Sequence, residues 1–88
     1  MLIMNNNIVE YKILLFGVTR DIFGSEQGRV QLSEGASVSD LRKKIKEDFP
    51  ALNKLNSLMI AVNNEYAEDT VLIHSTDEIA LIPPVSGG

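Results

Sequence analysis

An 88-residue chain has room for one domain around one modest core, and 44% hydrophobic with 23% charged residues is an ordinary globular composition. A formal net charge of −4 argues against nucleic acid, which asks for a basic face to release phosphate counterions. With no cysteine and one histidine, disulfides, thiolate-bound zinc, iron–sulfur clusters and a histidine metal site are set aside.

Residues 1–7 read as a flexible leader, with Asn5-Asn6-Asn7 as a polar break and Met4 as an alternative start. Met1-Leu2-Ile3-Met4 lacks the basic region of a secretory signal, and the apolar runs are too short to span a bilayer, so the cytoplasm is expected. Ile8 to Phe16 predicts a strand. Val9, Tyr11, Ile13 and Leu15 share one face; Glu10, Lys12, Leu14 and Phe16 share the other. Leu14 and Phe16 then belong either to a second packed surface or to an exposed patch. From Gly17 to Gly28 the turn residues are dense, with Ile22 and Phe23 expected to plug the rim of the core from a short helical turn. Arg29 to Leu32 alternates and predicts a second strand, antiparallel to the first.

Ser37 to Phe49 predicts the one main helix. Ser37 can cap it with Asp40 three residues on, and Val38, Leu41, Ile45 and Phe49 mark its apolar face. Arg42, Lys43, Lys44 and Lys46 read as a solvated face. Phe49-Pro50 ends the helix, and Leu52 and Leu55 in the connector are expected under the sheet. Leu58 to Val62 is a continuous apolar run, expected as a strand buried on both faces. Asn63-Asn64 is turn chemistry, Glu65 to Ala67 returns as a short strand, and Val71-Leu72-Ile73 is expected to pack. His74 reads as a surface histidine near a turn, and Glu78 to Ile82 predicts the last strand.

The order of elements implies an α+β fold, a mixed sheet with one helix across one face and the first and last long strands side by side. The domain is expected over residues 8–82, followed by an extended tail, 83–88. Pro83 and Pro84 cannot donate to a sheet ladder and favour a stiff extended conformation, so the chain must leave the body there. Fully extended, the tail reaches roughly 20 Å. A frayed terminus would also read as Ser-Gly-Gly. The reactive reading makes the Gly88 carboxylate the chemical group: without side chains, Gly87 and Gly88 can thread a narrow channel and leave the terminal carbonyl carbon open. A carboxylate resists nucleophiles, so a partner would have to activate it, most simply as an acyl-adenylate.

The chain resembles the small, sulfur-carrying subunit of molybdopterin synthase, a ubiquitin-like β-grasp family. The resemblance rests on Lys12 to Gly17, Arg20-Asp21-Ile22-Phe23-Gly24, Ser37 to Leu41, Ala61 to Tyr66 and, most specifically, Asp77 to Gly88. The family's usual glycine before the acidic pair is Thr76 here. The resemblance implies that an adenylyltransferase related to ubiquitin-activating enzymes uses ATP to adenylate Gly88. A persulfide donor then yields a thiocarboxylate, and the tail enters the large catalytic subunit, where sulfur passes to a cyclic pyranopterin precursor. It also implies a heterotetramer with two large subunits, and a small chain that is not itself catalytic and binds no cofactor. Phe16, Tyr66 and Ile82 would form its apolar docking patch, Arg20, Asp77 and Glu78 its rim, and Pro83, Pro84, Val85, Ser86 and Gly87 the threading arm. Three alternatives share parts of this pattern: a thiamine-type sulfur carrier, a ubiquitin-like modifier, and an interaction module whose tail does no chemistry.

Overall fold

A computed structural model describes residues 7–55 and 57–84. Strand β1 (Ile8–Leu15) leads into a short helix α1 (Val18–Phe23) and strand β2 (Gln27–Ser33). The main helix α2 (Val38–Asp48) and a 3-10 turn (Pro50–Lys54) follow, then strands β3 (Met59–Val62), β4 (Glu65–Tyr66) and β5 (Ile79–Ile82). The sheet order is β2-β1-β5-β3-β4. β1 and β5 pair in parallel and all other neighbours antiparallel, so the mixed sheet and the adjacency of first and last strands are as expected. No helix among the described residues is long and apolar enough to cross a membrane.

The period-two alternation of β1 sends Tyr11, Ile13 and Leu15 into the core, where they meet Val30 of β2, Ile60 of β3 and Ile79 and Leu81 of β5. Helix α2 closes that face with Val38, Leu41 and Ile45, one stripe at helical spacing, all fully buried. Its start is a reciprocal capping box. The Ser37 hydroxyl accepts from the Asp40 N–H, and the Ser37 N–H donates to the Asp40 carboxylate, both at 3.1 Å. Phe49 sits at the helix end and stacks on Phe23 with ring centroids 4.0 Å apart, so α1 does plug the rim. Phe23 in turn packs against Gly28, where a Cβ would stand 2.8 Å from its ring, which is why β2 carries a glycine as its second residue.

Tyr11 staples distant segments together. Its buried hydroxyl donates to the Ser33 carbonyl at 2.7 Å, with the Ile73 carbonyl at 3.3 Å, and burial pushes its phenol pKa up. Asn7, assigned to the leader by sequence, accepts from the Glu34 N–H at 2.9 Å; residues 1–6 lie outside the described residues.

Three local expectations are corrected. β3 is not buried on both faces along its length: Ile60 points into the core and the small Ala61 is 8% exposed on the opposite face, but Met59 on that same face is 43% exposed, because a single helical layer covers only one side of the sheet. Of Val71-Leu72-Ile73 only Ile73 packs. The segment is held by backbone bonds, Val38 N–H to Val71 O and Ile73 N–H to Ala36 O, that leave Leu72 59% exposed. Arg42 does not belong to the solvated face. Its guanidinium donates to the Leu58 carbonyl at 2.5 Å and lies 3.3 Å from Asp69, tying α2 to the loops around β3.

Candidate functional site

The open face of the sheet carries the site. The strand registers place Leu14 beside Ala80, Ala80 beside Ala61, and Ala61 beside Tyr66, so one row of side chains crosses β1, β5, β3 and β4. The two central members are alanines and the outer two are large. A row of that shape is a trough with a methyl-lined floor. Phe16 and Ile82 extend the same wall, Asn64 and Glu78 edge it, and the enclosed groove is about 320 Å³. Leu14 and Phe16 thus belong to an exposed patch, the second of the two readings their alternation left open.

Phe16 is 41% exposed and Tyr66 67% exposed, large aromatic surfaces that a monomer has no reason of its own to present together. Phe16 is nonetheless rigidly held. The fully buried Thr19 hydroxyl accepts from the Phe16 N–H at 2.9 Å and donates to the Phe16 carbonyl. Arg20 donates through Nε to the Leu15 carbonyl at 2.9 Å and sets its guanidinium carbon 5.8 Å from the centre of the Phe16 ring. Arg20 therefore lies beside the Phe16 ring. Thr19 was missed; its signal is the spacing Phe16-x-x-Thr19, in which a hydroxyl three residues on closes a turn.

Ile82 ends β5 in the groove wall, and Pro83 and Pro84 follow, both half-buried. Pro83 packs against the turn at Gly17, where a Cβ would approach the proline Cγ to 3.3 Å; Gly17 has φ +57, so this corner of the β1–α1 turn suits glycine twice over. The root of the arm is thus seated on the body beside Phe16 before the chain continues. Val85, Ser86, Gly87 and Gly88, the last part of the threading arm and its reactive end, lie outside the described residues.

The acidic pair divides its work. Glu78 borders the groove, while the Asp77 carboxylate accepts from the Asn63 side-chain amide at 3.0 Å and from the His74 N–H at 2.8 Å. The Asn63 bond, then the His74 N–H, hold the Asp77 carboxyl below the usual carboxylate range. Asp77 is therefore an acceptor for its own chain, at a position where the resemblance implied a rim contact. The site combines an apolar trough with a proline segment seated beside it.

Comparison with known proteins agrees with this geometry. The family model of the ThiS family matches residues 13–88. A molybdopterin synthase sulfur carrier subunit of Dictyostelium discoideum is 39% identical over 83 residues, covering 90% of this chain and 96% of that protein. Its counterpart from Arabidopsis thaliana is 33% identical over 81 residues, 91% of this chain and 84% of the other. Among solved structures, SAMP1 from Haloferax volcanii, a small archaeal modifier protein, superposes with a TM-score of 0.76 at 28% identity, over 91% of this chain and 100% of that one.

Proposed function

The chain belongs to the ThiS family, and on that premise we propose that it is the sulfur-carrier subunit of a molybdopterin synthase, with Gly88 as its reactive residue. One observation carries the reading: the apolar trough of Phe16, Tyr66 and Ile82 lies at the root of the proline arm, so docking and delivery share one edge of the molecule.

In this reading the Gly88 carboxylate attacks the α-phosphorus of ATP in the site of an adenylyltransferase related to ubiquitin-activating enzymes, and pyrophosphate leaves. A persulfide sulfur then attacks the acyl carbon and AMP leaves. A thiol then attacks the donor-side sulfur of the resulting acyl disulfide, forms a disulfide with the donor, and frees the Gly88 thiocarboxylate as the original S–S bond breaks. The arm next enters the large subunit, whose residues perform the transfer of sulfur to the cyclic pyranopterin precursor. The small chain contributes no catalytic side chain and binds no cofactor. What it supplies is docking by Phe16, Tyr66 and Ile82, aromatic and branched anchors of the kind that dominate binding energy, with Arg20 beside them. Pro83 and Pro84 fix the exit direction, and Val85, Ser86 and Gly87 pass through the channel. The assembly is a heterotetramer, two small chains on a pair of large ones, in the cytoplasm.

A second reading is favoured by the likeness to SAMP1: a protein modifier, whose activated glycine ends in an amide bond to a lysine. The two readings diverge after adenylation. Intact mass measured after incubation with the adenylyltransferase, ATP and a sulfur donor is expected to rise by the exchange of one oxygen for sulfur, localised to Gly88. Deleting Gly88 is expected to abolish the gain without altering the fold. Chains found joined to lysines, with no sulfur-exchanged form, would replace the carrier with the modifier.

A further inference from the structure

The β3–β4 hairpin carries one wall of the trough, yet it has little to hold it. β4 is two residues long at the edge of the sheet. Its ties to β3 are the pairs Ala61–Tyr66 and Val62–Glu65 and the bond from the Ala67 N–H to the Ile60 carbonyl at 2.9 Å. A two-residue edge strand is marginal by itself. What secures it is Asn63, at the first corner of the turn.

Asn63 applies three polar groups to the start of β5. Its backbone N–H donates to the Glu78 carbonyl at 2.7 Å. Its side-chain oxygen accepts from the Glu78 N–H at 2.9 Å, and its side-chain NH2 donates to the Asp77 carboxylate at 3.0 Å. The second carboxylate oxygen of Asp77 is taken by the His74 N–H, so the clasp is locked from behind. The chemistry asks for an amide at this position. Aspartate would set a carboxylate against Asp77, and glycine, though able to take the φ of +53, keeps only the backbone bond to the Glu78 carbonyl and leaves the Glu78 N–H and the Asp77 carboxylate without the amide. The wall residues Asn64 and Tyr66 and the rim residue Glu78 come from the two segments this one side chain joins.

We propose that Asn63 is a positioning residue for partner docking: its clasp on Asp77 and Glu78 holds the Tyr66 wall of the trough in the shape the partner meets. The partner half of this statement rests on the sulfur-carrier reading; the clasp itself belongs to the free chain. It is a role for the turn beyond reversing the chain.

Two measurements on Asn63→Gly, which keeps the turn and removes the amide, test it. In the free protein, hydrogen exchange at the Ala67 and Glu78 amides is expected to quicken about tenfold or more, while the α2 and β1–β2 amides keep their protection. Unchanged exchange at both positions overturns the proposal. Against the large molybdopterin synthase subunit, Tyr66→Ala is expected to weaken binding about tenfold in the natural sequence and several-fold less in Asn63→Gly, where the wall is already displaced. Equal losses in the two backgrounds, or no loss from Tyr66→Ala in either, overturn it too, since an effect on stability alone leaves the two substitutions independent. If the natural chain does not bind the large subunit, the sulfur-carrier reading fails, and the exchange measurement still decides the clasp. Should Asn63→Gly not fold, Asp77→Ala removes the amide–carboxylate bond of the clasp, and faster exchange at Ala67 with a smaller loss from Tyr66→Ala is then expected; unchanged exchange there with equal losses overturns the proposal.

Discussion

Thr19 shows how much one hydroxyl can decide. It is fully buried, and its oxygen serves both the N–H and the carbonyl of Phe16 where β1 stops and α1 begins; the carbonyl also accepts from the Thr19 N–H, so it is the Phe16 N–H that depends on the hydroxyl. Arg20 satisfies the neighbouring Leu15 carbonyl, so the whole corner is closed by two consecutive side chains. Thr19→Val keeps the shape and removes both bonds. Leaving a buried N–H unpaired costs about 1–3 kcal/mol, and urea unfolding should show a loss in that range. Because the same corner orients Phe16, docking should weaken as well. A variant as stable as the natural chain would mean that water or a small backbone shift replaces the hydroxyl.

At the scale of elements, α2 is short, eleven residues, and an isolated helix of that length is marginal in water. Two things make it persist: the buried stripe of Val38, Leu41 and Ile45, and the capping box at Ser37. The N-terminus of α2 also receives the 69–73 segment, since Val38 and Ser39 donate to the Val71 and Asp69 carbonyls. Removing the cap by Ser37→Ala should cost about 1 kcal/mol, visible as a lower urea midpoint with an unchanged slope. A larger loss would indicate that the 69–73 segment detaches with the cap.

For the molecule as a whole, the two carboxylates with depressed pKa values sit at two different connections, Asp40 at the start of α2 and Asp77 in the turn before β5. Asp77 is lowered first by the Asn63 amide, Asp40 first by the Ser37 backbone N–H and then by its hydroxyl. Both bind a proton less readily when folded than when unfolded. Their stabilisation is therefore complete above the ordinary carboxylate pKa of about 3.9 and is lost as pH falls through the lower folded values. Stability should be flat from neutral pH down to about pH 5 and decline below about pH 4. Asn63→Gly should flatten part of that decline, because the Asp77 carboxyl then titrates nearer its unfolded value. Urea midpoints across this range check both statements. A decline of the same steepness in the variant would shift the acid response to Asp40 and the other carboxylates.

Much of the chain could be read without coordinates, for reasons that are local. Alternation in β1, the helical stripe of α2, the paired asparagines and the double proline are each short-range patterns with short-range causes, and each appears where the pattern put it. The tail motif and the family likeness are likewise properties of linear order. Tertiary structure decided what depends on residues far apart in sequence. Whether Leu14 and Phe16 were core or patch turned on which face the helix covered, and the continuous apolar run of β3 could not reveal that one of its faces would stay open. The alanine floor exists only because Ala61 and Ala80 meet across β3 and β5. The ties of Arg42 and Asp77 were not legible in the sequence because their partners, Leu58 and Asp69 for one and Asn63 for the other, come from segments that only the fold brings near. Local propensity is written along the chain, while the pairing of distant groups is set when burial selects one topology.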